Sequence, residues 1–186
     1  MASASKVSFS KSHSTITEIH EYYVDSEESL NLYFNPIESI NYSEKFTGYT
    51  KEELVDELKN RKYTLDRMCS LELLAAIEAH LRIDYLVRCQ NRKKDSLSKI
   101  FRETIYKDKK NKASLMADIV STWKSHHPEH KPRLDKLGKA MDFRDWLAHG
   151  RYWQPKKSPH IQDYDYLSIY LLASDILGNM ELQEGV

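Results

Sequence analysis

Arg144 and His149 stand five residues apart in the run Phe143-Arg144-Asp145-Trp146-Leu147-Ala148-His149-Gly150. A guanidinium binds phosphate through paired, charge-assisted hydrogen bonds. An imidazole, with an ordinary pKa of about 6.5, gives or takes a proton near neutral pH. Asp145 lies four residues before His149, so on a helix its carboxylate can touch and orient the ring. These are the parts needed to hold a phosphodiester and move a proton at it. The same residues also suit an ordinary interface, with an Arg–Asp pair and a capping histidine.

A helix must present them. Leu134, Leu137, Met141 and Ala148 recur with a period near 3.6 residues. Pro132 suits a first turn, and Gly150 is placed to stop the helix after His149. The stripe calls for an apolar residue at 144 or 145, where the chain has Arg144 and Asp145. A guanidinium among Ala140, Met141, Leu147 and Ala148 is costly unless it is paired or faces an anion. His149 falls at the carbonyl end, where the helix dipole favours a cation. A second interruption lies upstream. Glu78 and Arg82, four apart, sit inside the stripe Leu71, Leu74, Ala75, Leu81 and Tyr85. The same pair reads equally as an i,i+4 surface pair, and His80 and Asp84 read as exposed helix-face residues.

The remaining patterning is also helical. Thr50 and Glu53 have the spacing of a capping box, predicting a helix to about Asn60. A long helix is predicted from about Thr64 to Asn91. Another runs from Asp95 to about Lys107 on Leu97, Ile100, Phe101 and Ile105. A further one runs from Ala113 to about His126 on Leu115, Met116, Ile119, Val120 and Trp123. The last is predicted from Asp163 to about Leu177, with Leu167, Tyr170, Leu171 and Ser174 facing in. With only five Gly and five Pro in 186 residues, a loop-rich or all-β fold is disfavoured. The expected fold is an all-α antiparallel helical bundle of about four to six helices. It spans residues 49–186, after a less regular acidic extension, 1–48, with short helical pieces.

The chain is neutral overall but divided. Residues 1–60 carry five basic and eleven acidic side chains, a net of −6, and the rest carry 23 and 17, a net of +6. Ten Lys and Arg fall between Arg88 and Lys112, a density that suits a polyanion or a solvated helix face and loop. Cys69 and Cys89 lie in apolar patterning and read as thiols, not a disulfide or metal pair. His126-His127-Pro128-Glu129-His130 has zinc-type donors, but Pro128 breaks the helix that would align them, so it reads as a solvated turn and no metal is expected. No apolar run approaches the ~20 residues of a membrane span, and the N-terminus lacks an export core, so a cytoplasmic protein without membrane contact is expected.

The segment Arg144 to His149 resembles the Arg-x4–6-His motif of the HEPN superfamily, which includes toxin ribonucleases of bacteria and archaea and the nuclease domains of some CRISPR effectors. Asp145 matches the polar residue which that family favours directly after the Arg, and the resemblance covers about residues 50–180. It implies a metal-independent endoribonuclease without cofactor, acting as a toxin or in antiphage defence. A ribose 2′-hydroxyl attacks the adjacent phosphate and leaves a 2′,3′-cyclic phosphate. Arg144 would hold the phosphate, His149 would be the general acid or base, and Asp145 would orient His149. Glu78 or Arg82 would be the polar residue that such domains place beside the motif from an earlier helix. HEPN toxins neutralised by nucleotidyltransferase antitoxins carry a Tyr as Arg-x4-His-x-Tyr. Here Tyr152 comes one residue later, which leaves it to pack with Trp153 over the site.

The resemblance further implies a composite site on the axis of a two-fold homodimer, with the small residues Gly138, Ala140 and Ala148 allowing close approach. RNA would be bound by Lys139, Arg151, Lys156 and Lys157, helped by the 88–112 stretch. An antitoxin or regulatory protein is a further expected partner, and the acidic first 60 residues would cover the groove. The alternatives are a non-catalytic HEPN module binding RNA or a partner protein, and a dimerisation domain that binds no nucleic acid.

Overall fold

The computed structural model describes residues 9–10, 12–35, 43–152 and 164–184. Most helices begin where a side chain can cap them. In α1 (Ile16–Tyr33), the Thr15 hydroxyl accepts from the Glu18 amide while Glu18 accepts from the Thr15 amide. The same reciprocal bonding by Thr50 and Glu53 starts α2 (Lys51–Gln90), as their spacing predicts. Asp95 caps α3, which begins as Ser96–Ile100, passes through a π-helical stretch, Phe101–Tyr106, and ends in Lys107–Lys109. Ser114 caps α4, π-helical over Leu115–Val120 and α-helical over Ser121–His126. A 3-10 turn, Pro128–His130, leads into α5 (Lys131–Ala148), which carries Pro132 in its first turn. Asp165 and Ser168 cap α6 (Tyr166–Asn179). Among the described residues there are six helices and no strand, the all-α bundle expected from the patterning.

Helix α2, about 60 Å long at 1.5 Å per residue, is the axis of the bundle. It packs against α1, α5, α6 and the π-helical parts of α3 and α4. Its Leu73, Leu74, Ile77 and Leu81 are fully buried, with Phe101, Ile119, Leu134, Leu137, Ile169 and Ile176 around them. Ile19 of α1 belongs to the same core, while Phe34, Phe46 and Leu54 form a small second cluster at the other end of α1.

Several expectations are corrected. Residues 16–33 form one helix, where short pieces were expected; the Thr15–Glu18 spacing is its signature. The break near residues 60–64 does not occur, because no Gly or Pro interrupts the chain there and the Thr64 hydroxyl bonds back to the Asn60 carbonyl within the helix. On α2, Ala75 is exposed and Leu71 half-buried, since a helix surrounded by neighbours buries a wrapped surface and not a single stripe. Asp84 is fully buried, not exposed. On α5, Ala148 is exposed, and Phe143 and Trp146 are buried instead. On α6, Leu167 and Leu171 are exposed; the buried set is Tyr166, Ile169, Leu172, Ala173 and Ile176, one residue out of phase with the expected face, because α2, α5 and α1 pack against that side.

Candidate functional site

Arg144 continues the core-facing line of Leu137, Ala140 and Met141 along α5, so its guanidinium is carried toward α2. There it finds a carboxylate. Arg144 Nη2 donates to Glu78 Oε2, and Arg144 Nη1 donates to Asp145 Oδ1 at 2.8 Å. The other Glu78 oxygen accepts from Arg82 Nε at 2.7 Å. One carboxylate thus holds two guanidiniums from two helices, one on each oxygen. The cluster is half-buried, with Asp145 its most exposed member. The apolar-stripe interruptions at 78/82 and 144/145 are therefore one place in the fold, and the cost of a guanidinium on an apolar face is met by pairing.

Helix α5 ends in a Schellman motif. Gly150, at φ +79°, donates to the Leu147 carbonyl at 3.3 Å, and Arg151, at φ +59°, donates to the Trp146 carbonyl at 3.1 Å. This fixes His149 as the exposed C-cap residue. On ideal geometry five residues separate His149 from Arg144 by about 7.5 Å along the axis and about 140° around it. Buried Phe143, stacked on Tyr164 at 5.4 Å, and buried Trp146 anchor this last turn. Tyr152 is 85% exposed. Trp153, Lys156 and Lys157 lie outside the described residues.

The basic stretch divides by role. Arg88 is buried and bonds Asp84, Asp95 and the Glu181 carbonyl. Arg102 donates to the carbonyls of Arg88 and Lys93. The lysines at 107 and 109, at the end of α3, and at 110 and 112, on the α3–α4 connection, are exposed, and Lys109 pairs with Asp118 at 2.6 Å. That connection is hung beside the Arg144 cluster: Arg82 Nη1 donates to the Ala113 carbonyl at 2.9 Å, and the Tyr85 hydroxyl donates to the Lys110 carbonyl at 2.8 Å. Lys139 and Arg151 are also exposed.

Helix α1 is elsewhere. Glu27 pairs with Lys62 and the Tyr23 hydroxyl donates to Asp66. Lys62 and Asp66 lie roughly 120–160° around α2 from Glu78 and Arg82. Helix α1 itself therefore lies on a different side of α2 from the Arg144 cluster, while residues 1–8, 11 and 36–42 of the expected cover lie outside the described residues.

The buried group on Asp84 was missed by the sequence reading. Asp84 accepts from Arg88 Nε, Trp123 Nε1 and the Gln183 amide. The only sequence sign of it is the four-residue spacing of Asp84 and Arg88. In comparison with known proteins, the chain matches no family model, no curated protein and no solved structure.

Proposed function

We propose that this chain is a metal-independent endoribonuclease of HEPN type, acting as a toxin or in antiphage defence. The observation that carries the reading is the meeting of Arg144 with Glu78 and Arg82. Two arginines from separate helices converge at a half-exposed point, beside Asp145 and five residues before a histidine held at the helix end. Phosphate is the ligand that two convergent guanidiniums suit best. Arg144 binds the scissile phosphate and stabilises the charge that develops on it. His149 moves the proton of the 2′-hydroxyl or of the leaving 5′-oxygen. Asp145, held by Arg144 in the structure, orients His149 once a phosphate takes its place on the guanidinium. A second copy brings its own Arg144 and His149 across a two-fold axis, and RNA lies along a groove bordered by Lys139, Arg151 and the lysines at the end of α3 and after it. An antitoxin or regulatory protein would restrain it.

The test is cleavage of one RNA and its all-deoxy counterpart in EDTA. The RNA is cut with 2′,3′-cyclic phosphate ends and the DNA stays whole. A second reading, a non-catalytic HEPN module that binds RNA or a partner protein, is favoured by the fact that Glu78 and Asp145 already engage Arg144. It predicts RNA that is retained and never cut.

A further inference from the structure

The turn between α4 and α5 assembles a second group of chemistry-bearing side chains, far from Arg144. Pro128 ends α4, but the chain continues as a 3-10 turn. With three residues per turn, positions i and i+3 eclipse. This puts His127 and His130 on one side, with ring centroids 5.7 Å apart, and places Glu129 beside them. One donor atom from each of the three lies within 4.8 Å of the others. The two rings are backed by Trp123, at 5.1 and 5.9 Å, which is buried and fixed by its bond to Asp84. The neighbouring His126 is turned away, its Nε2 at 2.8 Å from the Ser96 hydroxyl. Beyond the three donors opens a cleft of about 490 Å³ whose wall includes Asp95, Asn179 and Glu181.

We propose that His127, Glu129 and His130 form a binding site for a zinc-class divalent cation, with its fourth coordination position open to this cleft. Two imidazoles and one carboxylate are a zinc donor set, and a site with three protein ligands keeps a position for water or a ligand. Hard cations such as magnesium prefer oxygen donors alone. Arg133 competes with the metal: its Nη1 lies 3.0 Å from His130 Nδ1, while its Nη2 pairs with Asp175 at 3.3 Å. Loading exchanges the first contact for the metal and keeps the second. The site lies at the N-terminal end of α5, about 26 Å along the helix from His149, so it clips α4 to α5 and takes no part in the chemistry proposed at Arg144.

The test is titration of the untagged full chain with Co²⁺, followed by displacement with Zn²⁺ against a chromophoric chelator. One Co²⁺ per chain is expected, with the visible absorption of a four-coordinate site. His127→Ala, Glu129→Ala and His130→Ala each weaken binding by at least about tenfold, the scale on which even outer-shell partners act. His126→Ala binds as the parent does. Arg133→Ala, which removes the competing cation and leaves all three donors, binds more tightly. Absence of the absorption band with no Zn²⁺ retained overturns the proposal, as does a His126→Ala variant weakened as much as His130→Ala.

Discussion

Helix α2 carries one device twice. Glu78–Arg82 and Asp84–Arg88 are each a carboxylate four residues before an arginine, and each is bridged at 2.7 Å. Their surroundings differ. Asp84 and Arg88 keep 0% and 7% of their side-chain surface, while Glu78 and Arg82 keep 20% and 37%. The inner pair has fixed partners on every side: the α4 indole, the Asp95 cap of α3 and the backbone at Glu181 and Gln183. It ties the C-terminal segment and two helix ends to α2. Burial pushes the Asp84 carboxyl above its ordinary range, while Arg88, the Gln183 amide and Trp123 pull it down. The outer pair reaches one carbonyl and Arg144, and stays partly open to solvent. Identical spacing thus yields a structural knot where the site is dry and an exchangeable ion cluster where it is wet.

The largest expected effect follows from the inner pair. Asp84→Ala leaves Arg88 buried without its main counter-ion and should cost about 3–5 kcal/mol in urea unfolding. Glu78→Ala should cost no more than about 1 kcal/mol. Equal losses would erase the distinction between the pairs. Second, Arg144→Ala and His149→Ala should each lower RNA cleavage by about 100-fold or more, with melting curves close to the parent. Third, Glu78→Gln removes the carboxylate that competes with phosphate for Arg144 and Arg82. RNA affinity should rise a few-fold and fall more steeply with added salt, as read by binding at several ionic strengths. Weaker binding would assign Glu78 a positioning role instead. The smallest effect concerns the α2 cap. The Thr50 amide, then its hydroxyl, holds the Glu53 carboxyl below its ordinary value. That contribution is present at neutral pH and is lost as the pH falls through the lowered folded value. Thr50→Ala should therefore flatten the acid limb of the stability profile.

Much of this organisation was legible before any coordinates. The Thr50–Glu53 box, the Gly150 stop and the apolar faces of α3 and α4 are local signals, and each is where its residues place it. The two charged interruptions of apolar stripes marked Glu78, Arg82, Arg144 and Asp145, and these meet. The misplaced face of α6 and the misread Asp84 have non-local causes. The inward face of α6 depends on which neighbours surround it. Asp84 reads as a surface residue because its partners Trp123 and Gln183 come from 39 and 99 residues away. The turn at Pro128 shows a further limit of α-helical spacing, because a 3-10 turn brings His127 and His130, three apart, to one side.

The most direct measurement incubates the full-length chain, Arg144→Ala, His149→Ala and an equimolar mixture of the two variants with RNA in EDTA, and reads the fragment ends. Cutting by the parent with 2′,3′-cyclic phosphate ends, silence from each variant, and partial recovery in the mixture are the predicted result, because a mixed dimer rebuilds one intact composite site. Unchanged cutting by both variants, or no cutting by a folded parent that still retains RNA, would contradict it.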